Sequence, residues 1–175
     1  IFCLHLLLMA AFTAIPAVMT EQVGLPPEQH AWLYLATLCG ALPGVAMLVR
    51  RRQALDDSRP LLALSVLLTV LGLVTALWAS SLLVLGVGLM LFFVGFTALE
   101  TILPALVSIV APTSLRGTAM GIFSSAQFLG VFTGGALGGN ALHVGGAVGL
   151  VAVLSMLTGI WLAGLWRYGR APMAA

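Results

Sequence analysis

The chain has 175 residues, of which 61% are hydrophobic and only 7% charged, with a mean hydropathy of +1.16 and a formal net charge of +2. Soluble domains carry about a quarter charged residues, so this composition excludes an ordinary water-soluble protein and makes lipid the expected solvent. So small a positive excess is an orientation signal rather than a nucleic-acid footprint, and no polyanionic partner is expected.

A helix needs about 20 apolar residues to cross about 30 Å of hydrocarbon. Six stretches qualify, at residues 1–20, 31–49, 61–79, 82–110, 117–139 and 145–166. All are expected to be helices, because an open strand in lipid leaves its backbone groups unpaired. The fold class is therefore all-α, a polytopic bundle of six transmembrane helices.

The first stretch opens at Ile1, already apolar, so the chain is expected to be part of something longer. It contains His5, which near its basic end serves either as a proton relay or as a hydrogen-bonded packing residue. Pro16 interrupts it, and residues 21–30, with Glu21, Glu28 and the Pro26-Pro27 pair, form a polar turn outside the membrane. Trp32 and Tyr34 fit an interfacial aromatic belt at the start of the second stretch. Pro43 with Gly44 permits a bend there. Cys3 and Cys39 lack CxxC spacing or a histidine neighbour and are read as packing residues, with no metal or cofactor expected.

The next connection is short and basic, with Arg50, Arg51, Arg52 and Arg59 beside Asp56 and Asp57. Pro60 suits the first turn of the third helix. Only Ser80 and Ser81 separate the third and fourth stretches, which must form an antiparallel hairpin. The fourth contains Glu100, about 6 Å to the cytoplasmic side of its middle at 1.5 Å per residue. An ionised carboxylate at that depth is costly, so it should be protonated, paired or facing water. Such a group suits proton coupling or cation binding, and also a structural hydrogen bond. Pro104 follows one turn later and frees the carbonyl of Glu100, which fits either a gate or a static kink.

Arg116 stands alone before the fifth stretch as a cytoplasmic anchor. That stretch carries Gly130, Gly134, Gly135, Gly138 and Gly139, several of them four apart, so that a neighbouring backbone can approach closely. The groove serves as a sliding surface or as a fixed seam. Gln127 lies near the middle of this span, after Ser124 and Ser125, where it acts as a cavity residue or as interhelical glue. Trp161, Trp166 and Tyr168 suit the interface at the end of the sixth span, with a core position equally open to Trp161.

All seven basic residues, Arg167 and Arg170 included, fall in every second gap or at the C-terminal end. By the positive-inside rule that end is cytoplasmic, together with both ends of this segment. Phe12-Thr13-Ala14 is echoed by Phe96-Thr97-Ala98, each followed by Pro-Ala, which suggests two three-helix units. An odd number of crossings makes such units inverted, a habit of transporters.

Taken in order, "LHLLLMAAFTAIPA", "YLATL", "LFFVGFTALETILPALVS", "RGTAMG" and "SSAQFLGVFTGGALGG" resemble the C-terminal half of drug-efflux transporters of the major facilitator superfamily from bacterial inner membranes. The similarity runs from His5 to about Gly139. It implies helices 7 to 12 of a twelve-helix transporter, with an N-terminal six-helix half as partner. The family's acidic-basic loop motif has no counterpart in "VRRRQALDDSRP", which fits the C-terminal half. The resemblance also implies alternating access and proton-coupled efflux of small cationic or drug-like molecules. Glu100 would carry the proton or attract the substrate, Gln127 and Thr97 would supply polar contacts, His5 would relay protons, and the glycine face with Pro104 would allow rocking.

An intramembrane enzyme is not expected, since His5, His30 and His143 lie in different segments, no HExxH occurs, and one buried carboxylate cannot form a pair. The alternative is a self-contained small membrane protein forming a homodimeric channel or scaffold.

Overall fold

The computed structural model describes residues 1–53 and 57–168; Asp56, Arg170 and the side chain of Tyr168 lie outside the described residues. Helices α1 (Phe2–Phe12) and α2 (Ile15–Ala17) and a π-helical turn (Val18–Gln22) make up the first span. They are followed by α3 (Pro27–Gln53), α4 (Arg59–Leu77), α5 (Leu82–Val110), a 3₁₀ turn (Thr113–Leu115) and α6 (Arg116–Tyr168). Five helical stretches are long and apolar enough to cross a membrane, so the protein is an all-α polytopic membrane protein.

Proline acts differently in each span. In the first, Pro16 sits in the opening turn of α2, after a break at Thr13 and Ala14, and the interruption expected there is present. Helices α3 and α5 run on through Pro43 and Pro104. Pro60 occupies the first turn of α4, and Ser81 caps α5 by accepting from the Val84 N–H at 3.4 Å.

The last two apolar stretches differ from expectation. Residues 140–144 stay helical instead of forming a loop, and α6 breaks only at Gly146, whose φ of 59° and ψ of −155° are open to glycine and little else. The sequence "NALHV" contains no helix breaker, which is why the helix continues to the glycine pair. At Gly146 the chain folds back on itself. A Cβ on Gly149 would lie 3.0 Å from the Ala141 carbonyl oxygen, although eight residues of straight helix would separate them by about 12 Å. Leu150 and Leu154 then pack beside Ala10, Ile15 and Leu77, whereas Leu162 and Leu165 pack beside Leu4 and Leu61.

Glycine contacts fix the helix directions. Cβ atoms on Gly130, Gly134 and Gly138 would collide with the backbone of Phe2, Leu6 and Ala10 respectively, so α1 and the first arm of α6 run parallel with their backbones touching. Gly40 meets Met90 and Gly44 meets Val94, so α3 and α5 are also parallel. Gly72, Gly88 and Gly95 lock α5 antiparallel to α4, against Phe92, Ala76 and Thr69. Gly135 and Gly139 are not part of the seam expected of them: among the described residues nothing lies within 4 Å of either Cβ position. Each follows a seam glycine by one residue, about 100° around the helix.

These contacts repeat in one register. A shift of 84 positions carries Leu6 and Ala10 onto Met90 and Val94, and carries Phe12-Thr13-Ala14 onto Phe96-Thr97-Ala98. A shift of 94 carries Gly40 and Gly44 onto Gly134 and Gly138. The same helix pair therefore occurs twice, and α1 and α5 run antiparallel, with His5 beside Phe96 and Phe12 beside Phe92. This is an inverted repeat at the level of packing.

The helix directions collect Arg50, Arg51, Arg52, Arg59, Arg116 and Arg167 at one end of the bundle, with Glu21 and Glu28 at the other. At the arginine end Asp57 accepts from Arg59 at 2.7 Å, and the Arg59 guanidinium lies 5.3 Å from the centre of the Trp166 ring. Trp32 and Trp166 are exposed as interfacial residues should be, while Trp161 packs against the core.

Candidate functional site

Three spans bring polar side chains together inside this apolar frame. His5 follows the fully buried Leu4 on α1 and is itself buried. Its Nε2 lies 2.9 Å from the side-chain nitrogen of Gln127 on α6, and its Nδ1 lies 3.6 Å from Oε1 of Glu100 on α5. The edge of Phe96 completes the setting, with ring centres 5.7 Å apart. The local packing explains the meeting. Gly130 stands one turn beyond Gln127, and a Cβ there would approach the His5 Cβ to 3.2 Å, so only a glycine lets α6 come this close to His5.

The His5–Glu100 separation is within ion-pair range but too long for a hydrogen bond. Both facing atoms, His5 Nδ1 and Glu100 Oε1, are buried and have no hydrogen-bond partner among the described residues. Buried polar atoms are normally satisfied, and an orphaned pair facing each other is a place where a proton, a small closure or a bound group changes the energy most. The Glu100 side chain is 31% exposed, so the carboxyl can be reached from outside the bundle core while its inner oxygen stays in contact with the histidine.

Sequence-expected residues thus divide into two groups. Glu100, Gln127 and His5 converge. Thr97 lies one turn before Glu100, half-buried, and makes none of these hydrogen bonds; its carbonyl accepts from Thr101. Pro104 is followed by Ser108, whose hydroxyl donates to the Pro104 carbonyl at 3.0 Å. Arg116 is exposed at the start of α6, on the arginine-rich end. A largely apolar cavity of about 570 Å³, with Thr118 in its lining, opens there between Leu106, Val110, Leu115 and Ile122, away from the polar cluster.

Sequence reasoning passed over an aromatic chain that leads away from His5. Phe96 stacks on Phe92 at 5.4 Å, Phe92 meets Phe12 at 6.0 Å, and Phe12 stacks on Tyr34 at 5.3 Å. The four-residue spacing of Phe92 and Phe96 is the signal that places them on one helix face. Sequence reasoning also missed the seam of Gly72, Gly88 and Gly95, for which the seven-residue spacing of the last two was a visible sign.

A bundle of long apolar spans packed on one another around an ionisable cluster defines a multi-pass membrane protein with a polar site among its spans. Its relatives are transporters. The chain is 37% identical over 170 residues to the inner membrane transport protein YajR of Escherichia coli (strain K12), an alignment that covers 93% of this chain and 36% of that protein. It is 31% identical over 137 residues to the uncharacterized transporter BU466 of Buchnera aphidicola (subsp. Acyrthosiphon pisum), covering 77% of this chain and 34% of the relative. A transporter of Buchnera aphidicola (subsp. Baizongia pistaciae) is 50% identical over 52 residues, 30% of this chain and 13% of that protein. The chain is therefore a homologue of these transport proteins and spans about a third of the length of the two that it matches most extensively. No family model matches it, and no solved structure does.

Proposed function

We propose that this chain is the C-terminal half of a major facilitator superfamily transporter that exports small cationic or drug-like molecules in exchange for protons. The observation that carries the reading is the Glu100–His5–Gln127 cluster, which draws on three different spans and leaves a carboxyl oxygen facing an imidazole nitrogen inside an apolar bundle. Intramembrane ionisable groups are expensive and persist where ions or substrates move. Similarity to the YajR transport protein favours transport over a scaffold. In the proposed cycle this bundle rocks against an N-terminal six-helix bundle, Glu100 takes up a proton from one side and releases it to the other, and the substrate and proton compete for the site. Thr97 contributes from the adjacent turn, and the α1–α6 glycine seam and Pro104 accommodate the motion.

Orientation is part of the proposal, with the arginine end cytoplasmic. Single cysteines at Asp56 and Glu28, introduced in a background without Cys3 and Cys39, are expected to react with an impermeant thiol reagent on intact cells at position 28 and not at 56. The reverse pattern would overturn the assignment.

The partner half is tested by expressing the chain alone and together with an N-terminal half. Phe128 and Phe132 are exposed on the outer face of α6, as expected of a surface awaiting either a partner bundle or lipid. Alone, the chain is expected to give no proton-driven dye efflux in proteoliposomes; with the N-terminal half, efflux should appear. Robust transport by the chain alone that Glu100→Gln abolishes would establish a self-sufficient homodimer and defeat the half-transporter reading.

A further inference from the structure

We infer that Gln127 is a positioning residue that fixes the tautomer of His5 and so assigns the travelling proton to Glu100. This inference rests on the proton-coupling reading above, and it follows from the chemistry of the two ring nitrogens. A neutral imidazole has one nitrogen that donates and one that accepts. Nδ1 faces the Glu100 Oε1 at 3.6 Å, and neither atom has another partner among the described residues. With Glu100 ionised, a bare Nδ1 would set its lone pair against the oxygen lone pairs, so the stable arrangement puts the proton on Nδ1, pointing at the carboxylate. The outer carboxylate oxygen is left to receive an entering proton. Nε2 is then bare and needs a donor. The Gln127 amide nitrogen, 2.9 Å away, supplies it.

The surroundings hold this arrangement in place. His5 is only 5% exposed, so water cannot readily replace Gln127 as the donor. The Phe96 edge fixes the plane of the ring, and the close approach at Gly130 fixes the backbone from which Gln127 reaches it. With an amide N–H₂ aimed at Nε2, a second proton on the ring would point hydrogen at hydrogen. Accepting it requires the amide to turn over and present its oxygen instead. While Gln127 stays as found, the ring keeps one proton, and the proton entering the site resides on Glu100. The role resembles that of the groups which fix the tautomer of a metal-bound or catalytic histidine through its second nitrogen.

The test uses the complete transporter, bearing both halves, labelled with ¹⁵N-histidine in lipid nanodiscs, with the His5 signals assigned by their loss in His5→Asn. In the unsubstituted protein Nδ1 is expected to show the shift of a protonated nitrogen and Nε2 that of a bare one. Gln127→Leu removes the donor, and the signals should move toward the mixture of free imidazole. Gln127→Glu keeps the shape but accepts instead of donating, so Nε2 should become protonated. A proton on Nε2 in the unsubstituted protein overturns the inference even if neither variant folds, and so does an unchanged spectrum in a folded Gln127→Leu. Failure of the underlying reading appears separately. If Glu100→Gln leaves proton flux intact while Gln127→Leu shifts the tautomer, Gln127 positions His5 in a site that does not couple protons.

Discussion

In the complete transporter, Glu100→Gln is expected to reduce substrate-driven proton movement in vesicles to the level seen without substrate, while the protein still purifies at normal yield. Glutamine has nearly the same shape, and its side-chain oxygen still faces the Nδ1–H of His5. It cannot titrate. Its neutral amide also removes the cost of holding a charge at depth, so folding should be unaffected or slightly improved, as when a buried ionic group is replaced by a neutral one of similar size. The change therefore separates coupling from folding. The measurement is internal pH recorded by a trapped dye during substrate transport. A Gln variant that moves protons as well as the parent would return Glu100 to a purely structural role.

The second large effect is expected at the α1–α6 seam. Gly134→Leu should prevent folding of the bundle, seen as aggregation on size exclusion and loss of the cooperative thermal transition. At Gly134 the obstacle to a Cβ is the backbone of Leu6, which cannot swing aside as the end of a side chain can. Overpacking a well-packed interior costs about 1–3 kcal/mol, and a backbone obstacle places this site at or above the top of that range. Gly135→Leu is the matched control, one residue on and facing open space. It should fold like the parent. Equal loss of folding in both variants would mean that helix propensity or lipid contact dominates, and that the seam is not what holds α1.

The contrast between these two glycines shows how far the sequence could be read. Glycines four apart announced a close approach on the fifth span, yet Gly130–Gly134–Gly138 and Gly135–Gly139 satisfy the same spacing. Only the neighbour chooses between them, and that neighbour is more than 120 residues away in the chain. Span limits were legible where punctuation was strong. Residues 82–110 were bounded by Ser80-Ser81 on one side and by Pro112 and Arg116 on the other, and α5 occupies the same range. The turn before the last arm was placed several residues early, because the Gly138-Gly139 pair looks as much like a stop as Gly145-Gly146 does, and the backbone conformation that marks the true turn leaves no trace in hydropathy. Glu100 stood out as the one carboxylate inside a span. The place of His5 at the centre of the cluster did not, since a lone histidine in an apolar helix acquires meaning only from what two other helices put beside its ring.

The shift that superposes the two halves carries His5 onto Leu89 and Pro16 onto Glu100, and the shift for the second pair carries Leu33 onto Gln127. The frame is thus built twice, but the chemistry is written into it once. At the counterpart position stand a leucine, a proline and another leucine, groups that can neither bind nor release a proton. A duplicated scaffold with a single polar address is not symmetric end to end, since the two ends present the same helix pairs but not the same chemistry. Lopsided placement, more than any bend in an individual helix, is what makes the arginine end of this bundle chemically different from the opposite end.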